Sequence, residues 1–389
     1  MAALEYNPAS AACADSQTLV AIHESRQDPP HIHPQAVTLA FEAQQWPELV
    51  KQISSADNVI VNKALVVALR YLPQPLEVSK AVKAGVFDAL AQQAINSDAT
   101  IREHVSNCLR LLLSDRAVGH SAAASHAVGL QAVKGLSCDK NDATRAAAYQ
   151  AMHCLSMSFD GASHLASSGF VPHLVERITS ETHDEMHAQL TAALARCVNA
   201  HGQKGVAAAL DGDCVLVCTK LLQSQLEQAS PSAAVLAGAA STLMYAAVPA
   251  AGKAQLIEQG SIAVLLAVLT HAGVSEAGTV AAACGALMNV AVDDAGKRET
   301  LSIGAQPLLD CLKAAAGVYE ATGSQVGVVL NAMGALSVLT AHPDGRALSK
   351  QGGLLQLNDT CIIPAAEKRQ HSTLLRLASK ARGTVDWHP

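Results

Sequence analysis

Apolar positions along the chain fall into a recurring phrase, a glycine followed by an apolar segment that carries Leu on one helical face. It reads AGVFDAL from Ala84, VGLQAV from Val128, SGFVPHLVERI from Ser168 and DGDCVLVCTKLL from Asp211. It continues as QGSIAVLLAVL from Gln259, IGAQPLLDCL from Ile303 and QGGLLQL from Gln351. The glycines stand at 85, 129, 169, 212, 260, 304 and 352, at intervals of 44, 40, 43, 48, 44 and 48 residues. A residue free to take positive φ suits a sharp turn between helices, because glycine has no Cβ to clash there. A second phrase lies between these turns, a small residue and then Leu near the end of an amphipathic helix. Its anchors are Leu69, Leu109, Leu155, Leu194, Leu243, Leu287, Leu336 and Leu375, spaced 40, 46, 39, 49, 44, 49 and 39 apart. Two separate landmarks thus share one period of about 44 residues.

A unit of that length, made of two or three helices, is the size of an armadillo or HEAT repeat. A glycine between a short first helix and an apolar second one favours the armadillo type. The expected fold is therefore all-α: a right-handed armadillo (ARM)/HEAT-like superhelical solenoid of about eight repeats over residues 39–380. WPELVKQI (46–53) and ADNVIVNKALVVALRYL (56–72) supply a first, partial unit. Residues 1–38, with PPHIHP at 29–34, read as an extended arm, since proline removes an amide donor and pushes its neighbour out of the helical region. Residues 381–389 read as a C-terminal tail. The stretches 223–232 and 314–325, rich in Gln, Ser, Gly and Ala, read as loops that lengthen two repeats and project from one edge.

Composition agrees with a helical core. Half of the 389 residues are hydrophobic and only 3% are aromatic, so the interior is built from Ala, Leu and Val. The balance of 27 Lys and Arg against 33 Asp and Glu gives a net charge of −6, with no basic run, which argues against a nucleic-acid partner. Ten cysteines lie scattered without a CxxC pair, several inside apolar stretches (Cys108, Cys154, Cys197, Cys284), and read as reduced thiols acting as small hydrophobes. The N-terminus lacks a basic segment leading into an apolar one, so a secretory signal is not expected. Residues 228–252 carry no charge and are long enough to span a bilayer. They are mostly Ala, Ser and Gly, contain Pro231 and Pro249, and keep the repeat register, so no membrane span is expected.

Candidate chemistry is sparse. HDEMH at 183–187 sets two histidines one turn apart, but the zinc-protease pattern requires Glu where Asp184 stands. Thr182 and Glu185 have the spacing of a capping box, which accounts for the acidic first turn without metal. Cys214 and Cys218 lie one turn apart with no second ligand pair at finger spacing, and read as a buried apolar face. Gly252-Lys253 and Gly296-Lys297 lack the rest of a phosphate loop, and there is no G-x-S-x-G elbow. No catalytic, cofactor or metal residues are assigned, and neither an enzyme nor a small-molecule substrate is expected.

The end of each third helix resembles the small-Leu-x-Asn-Leu ending of catenin-like and importin-like armadillo proteins, whose Asn ladder and preceding Trp grip an extended peptide. The Asn position reads Tyr71, Leu111, Met157, Arg196, Tyr245, Asn289, Val338 and Leu377, so only Asn289 keeps the pattern. The Trp position reads Val67, Asn107, His153, Ala192, Ser241, Gly285, Gly334 and Thr373, with no Trp. Peptide capture of that type is therefore not expected. Ala192, Ser241, Gly285 and Gly334 suggest a shallow, small-lined middle open to a helix or another subunit. Tyr71, His153, Arg196, Tyr245 and Asn289 stand as the candidate protein-interaction residues of a concave face; the plainer alternative is that these positions only face water.

Taken whole, the chain resembles the armadillo-repeat proteins of the ciliary radial spoke. The residues that carry the likeness are NKALVVALRYL near 62–72, AVKAGVFDALAQQAINSDATIREHVSNCLRLL at 81–112, SSGFVPHLVERI at 167–178 and the ending VDWHP. The resemblance implies a non-catalytic scaffold subunit of the radial spoke in the axoneme of cilia and flagella, with other radial spoke proteins as partners and a part in the control of dynein-driven motility. It implies no cofactor. The competing expectation is a soluble armadillo adaptor, of the Hsp70 co-chaperone or transport-receptor kind, that binds its clients reversibly. An acidic chain is not expected to bind acidic tubulin tails directly.

Overall fold

The computed structural model describes residues 45–272 and 276–385, with the backbone alone for Ala124 and Ser125. The expected N-terminal arm and the last four residues lie outside this range. Every regular element among the described residues is helical, and the chain divides into two compact units between Cys154 and Leu155.

The first unit opens with a helix pair, α1 (Gln45–Ile53) and α2 (Asn58–Tyr71). Two triplets follow: α3 (Pro75–Lys83), α4 (Val86–Gln93) and α5 (Ala99–Ser114), then α6 (Gly119–Ser125), α7 (Ala127–Leu136) and α8 (Asp142–Ser156). Local chemistry sets the helix starts. Asp57 and Asp98 each accept the backbone N–H two residues on, at 2.8 Å, and so cap α2 and α5. Pro75 opens α3, where a missing N–H is of no consequence. Buried polar bonds tie one repeat to the next. Trp46 Nε1 donates to Glu77 Oε2 at 2.7 Å, Gln93 Nε2 to the Ile53 carbonyl at 2.9 Å, and Ser106 Oγ to the Thr144 carbonyl at 2.8 Å.

The second unit holds five more triplets. They are α9 (Phe159–Ser167), α10 (Phe170–Ser180) and α11 (Asp184–Ala200); α12 (Gly202–Asp211), α13 (Cys214–Leu226) and α14 (Ala233–Ala246); and α15 (Ala250–Glu258), α16 (Ser261–Ala272) and α17 (Ala277–Ala291). Then come α18 (Asp294–Ile303), α19 (Gln306–Thr322) and α20 (Val326–Leu339), and finally α21 (Pro343–Gln351), α22 (Leu354–Leu357) running through a π-helical turn into α23 (Ile363–Lys368), and α24 (Ser372–Val385). One partial and seven complete units make the eight repeats that the periodicity predicts. Third helices stack on third helices: α14 on α11, α17 on α14, α20 on α17 and α24 on α20.

Several expectations need correction. The landmark glycines do not share one role. Gly85, Gly169, Gly260 and Gly304 have positive φ, but in two repeats the left-handed residue comes one position later, at Asp213 and Gly353. Gly129 and Gly352 matter for space: a Cβ on Gly129 would stand 2.5 Å from Phe87 Cδ1, and one on Gly352 would fall on Leu309 Cδ2. The stretch 314–325 is not a projecting loop. It is mostly the second half of α19, because Ala314–Ala316 favour helix and Ala315, Ala316 and Tyr319 have a core to enter. Likewise 223–226 completes α13, leaving a short connection. Leu109, Leu155, Leu194, Leu243, Leu287 and Leu336 are fully buried, whereas Leu69 and Leu375 are half-exposed and their neighbours Ala68 and Leu374 take the core positions. α24 runs to the buried Val385, five residues past the expected end of the array.

Residues 228–252 form a connection, α14 and the start of α15. No single helix among the described residues is long and apolar enough to cross a membrane. The pair α15 and α16 passes on length and composition only when taken together, and it is bent by 78°.

Candidate protein-interaction face

Within each unit the candidate residues lie on third helices, on the face of the helix that is not fully buried. In the first unit that face carries Tyr71 and His153. Tyr71 is the exposed last residue of α2, and the one-residue shift of that helix puts Arg70, not Tyr71, at the position equivalent to Asn289. His153 is half-buried on α8.

In the second unit Arg196, Tyr245 and Asn289 occupy equivalent, half-buried positions on the successive helices α11, α14 and α17. Arg196 Nη1 lies 3.4 Å from Ser156 Oγ. Asn289 Nδ2 donates to the Met244 carbonyl at 3.0 Å, and Asn331 Nδ2 on α20 donates to the Ala281 carbonyl at 2.8 Å. Each amide therefore spends one of its two N–H donors on stitching one third helix to the one before it. Sequence reasoning missed Asn331, because it lies five residues before the Leu336 anchor and not two after it.

The small residues are also committed inside the chain. A Cβ on Gly285 would stand 2.5 Å from Met244 Sδ and 3.0 Å from Asn331 Nδ2. A Cβ on Gly334 would fall on Met288 Sδ, and one on Gly238 on Thr191 Oγ1. Gly285 and Gly334 are buried. They are notches that receive the methionine of the preceding repeat, which corrects the expected open, small-lined middle. What remains on the surface is half-exposed Ala237, Ser241, Met244, Tyr245, Ala281, Met288, Asn289, Leu330, Asn331 and Val338. Neither α14, α17 nor α20 contains a single charged residue.

The sequence's other candidates have structural explanations. His187 is buried, its Nε2 at 3.2 Å from the Ile178 carbonyl, while His183 is largely exposed and lies against Glu181, with Nδ1 3.1 Å from Oε1. The capping box does not form: α11 starts at Asp184 after an uncapped His183, and the buried Glu181 carboxylate takes the Thr182 N–H at 2.9 Å. Burial pushes the Cys214 and Cys197 thiols up to about 12 and the Cys218, Cys108 and Cys284 thiols well up, so none is a nucleophile near neutral pH. Gly252 and Gly296 belong to no phosphate loop; a Cβ on either would fall on the carbonyl oxygen of Ala246 or Val290 that ends the preceding helix. Among the described residues no three His, Cys, Asp or Glu side chains gather as metal ligands would. A cleft of about 590 Å³ between α10 and α13 has an apolar floor of Val175, Ile178 and Leu221 and a rim of Glu176, Asp213 and Lys220. It brings together no nucleophile, base and oxyanion donor.

No protein-family model matches the sequence. Among solved structures, an engineered protein superimposes with a TM-score of 0.61 at 18% identity, over 99% of this chain and 98% of that one. A computationally designed armadillo repeat protein for modular peptide recognition matches with a TM-score of 0.55 at 18% identity, and a designed armadillo repeat protein in complex with the peptide (KR)4 with 0.53 at 17%. Each covers 63% of this chain and 99% of its own. The fold is an armadillo-repeat solenoid. Within that fold the third-helix stack of the second unit differs from a peptide-gripping ladder at the Trp and Asn positions. Small residues and methionine replace the aromatic wall, and the surviving amides bond to their own chain.

Proposed function

We propose that this chain is a non-catalytic scaffold that holds other proteins on the third-helix face of α14, α17 and α20, and that it does so as a subunit of the ciliary radial spoke. The observation that carries the binding role is the charge-free run of three stacked helices. A face that can compensate no buried charge selects a partner surface that brings none, because an unpaired charge left in the contact costs several kcal/mol. Met244, Met288 and Tyr245 supply adaptable and aromatic contact area, the residue types that concentrate energy at interfaces. The designed neighbours support the class of function, since their names describe peptide recognition. The peptide (KR)4 itself suits this chain poorly, because α14, α17 and α20 offer no carboxylate to a Lys or Arg side chain. The spoke assignment rests on the sequence resemblance, and a solenoid of neighbour-to-neighbour contacts suits a part that bridges several subunits.

Isolated axonemes extracted with rising salt test this reading, with the chain followed by mass spectrometry beside known spoke subunits. Retention through moderate salt and release together with the spoke complex is the expected result. Loss into the first soluble wash would replace the spoke role with that of a reversible adaptor. Tyr245→Glu, which places a charge on the face, is expected to abolish retention while leaving the helical circular dichroism unchanged.

A further inference from the structure

We infer that the last described repeat is a docking surface for an acidic protein segment, on α21, α23 and α24 and not on the charge-free helices α14, α17 and α20. The inference deepens the scaffold reading, on which it rests, by naming the chemistry of a second partner contact. Charge is divided sharply along the second unit. Residues 155–342 carry eight Lys and Arg against fifteen Asp and Glu, a net of −7, whereas residues 343–385 carry seven against three, a net of +4. The cations of this repeat are separated by up to eighteen residues and form no run.

Folding packs the helices that carry them together, α24 against α21 and α23. α24 buries Leu374, Ala378, Ala381 and Val385 and packs on α20, α21 and α23, which leaves Arg376, Ser379 and Lys380 facing out. The helix contains no Asp or Glu at all. Lys350 on α21 and Lys368 on α23 are exposed as well. Three of the repeat's four arginines are occupied: Arg346 Nη1 donates to the Thr340 and Ala341 carbonyls, each at 3.3 Å. Arg382 pairs with Asp359 at 3.1 Å, and Arg369 lies over the Tyr319 ring at 5.0 Å and donates to the Glu320 carbonyl at 3.0 Å. Lys350, Lys368, Arg376 and Lys380 have no carboxylate within 4.0 Å among the described residues. Arg376 and Lys380 stand one turn apart, a like-charge pair that weakens the helix carrying it.

An outward helix face needs polar side chains to remain in water. Mixed charges with intrahelical pairs would meet that need; a helix with cations only adds attraction for anions. The anion that fits is a short run of carboxylates. Residues 343–385 contain no Phe, Tyr or Trp on which a base could stack, the outward face of α24 has no exposed large apolar side chain to enter a bilayer, and the net −7 of the preceding repeats repels a long polyphosphate.

The test is fluorescence anisotropy of a short labelled oligoglutamate peptide added to the full chain. Binding at low salt that weakens severalfold toward physiological salt is expected, because exposed charges are screened over about 8 Å there. The double variant Arg376→Glu/Lys380→Glu is expected to bind at least about tenfold more weakly, two attractions having become two repulsions. Lys204→Glu/Lys313→Glu, the same charge change at exposed positions of earlier repeats, is expected to bind as the native chain does. Unchanged thermal unfolding of the variants excludes a folding defect. No binding by the native chain, equal loss in both double variants, or stronger capture of a single-stranded oligonucleotide or of phosphatidylserine vesicles than of the peptide would overturn the inference. The assay contains no spoke component, so its failure and the failure of axonemal retention are separate results.

Discussion

Gly296 and Gly317 provide a paired substitution in which one chemical change should act with opposite signs. Both sit inside helices, α18 and α19, where Ala is favoured over Gly by about 1 kcal/mol. At Gly317 a new Cβ meets nothing within 4 Å and the position is exposed, so Gly317→Ala should stabilise the second unit by about 0.4–1 kcal/mol, the ordinary gain for such a change. At Gly296 the same Cβ would fall on the Val290 carbonyl oxygen and stand 2.9 Å from Val290 Cγ1. The oxygen is backbone at the end of α17 and cannot swing aside, so α18 must lift away. Overpacking of this kind costs about 1–3 kcal/mol, which outweighs the propensity gain. Gly296→Ala is therefore expected to be destabilising by roughly 1–2 kcal/mol net. Urea denaturation followed by circular dichroism measures both, and equal slopes for the native chain and the variants license the comparison. A Gly296→Ala protein as stable as Gly317→Ala would refute the close approach of first helix to preceding third helix on which the repeat geometry depends.

Other consequences are as direct. Leu287→Ala should cost about 2–5 kcal/mol, since Leu287 is fully buried, while Met288→Ala, half-exposed apart from its sulfur in the Gly334 notch, should cost less; the reverse order in urea denaturation would break the phase of α17. Brief alkylation of the native protein followed by mass spectrometry should modify exposed Cys138 ahead of Cys214 and Cys218, which burial keeps protonated. In the first unit, Arg102 Nε bonds Asp139 Oδ2 at 2.5 Å and holds its carboxyl below the usual range, so the pair stabilises the fold above the unfolded value of about 4 and ceases to as pH falls through the lower folded value. The stability difference between native chain and Arg102→Met should accordingly be constant near neutral pH and shrink below about pH 4; a difference that does not change with pH would show that the contact contributes packing and not charge.

The repeat was legible because it is written in residue types that geometry restricts. Leu at the core of each third helix and glycine at each first turn recur with one period, and six of the eight Leu anchors are fully buried. What sequence hid was phase and space. At both ends of the array the core position is one residue earlier than the Leu suggests, because Ala68 and Leu374 can fill it as well. Gln, Ser, Gly and Ala at 314–325 looked like a loop because their polarity was weighed above the helix preference of the alanines. A further set of glycines was not read as part of the repeat: Gly119, Gly161, Gly205, Gly252, Gly296 and Gly345, each lying where a Cβ would strike a carbonyl near the end of the preceding third helix. Their spacing of 42, 44, 47, 44 and 49 follows the same period and was available in the sequence. The charge division was available too, but only to a tally made repeat by repeat, because α21, α23 and α24 collect cations that lie far apart along the chain.

The loss of the peptide-gripping ladder changes what kind of binder this solenoid can be. In the resembled ladder an Asn offers both its donor and its acceptor to a partner backbone. Asn289 and Asn331 instead donate to the carbonyls of Met244 and Ala281, so each amide commits one of its two N–H donors to locking one repeat to another and less of it is left to pair with a partner backbone. The methionines seated against Gly285 and Gly334 act in the same direction, closing the spacing between α14, α17 and α20 with the chain's own atoms. Binding on this face must therefore draw on shape and apolar area, which bury best against a folded, complementary surface, and less on backbone pairing with an extended strand. The proposed apolar face would select partners by shape and the proposed cationic repeat by charge, two different demands that a scaffold holding several proteins would use to tell them apart.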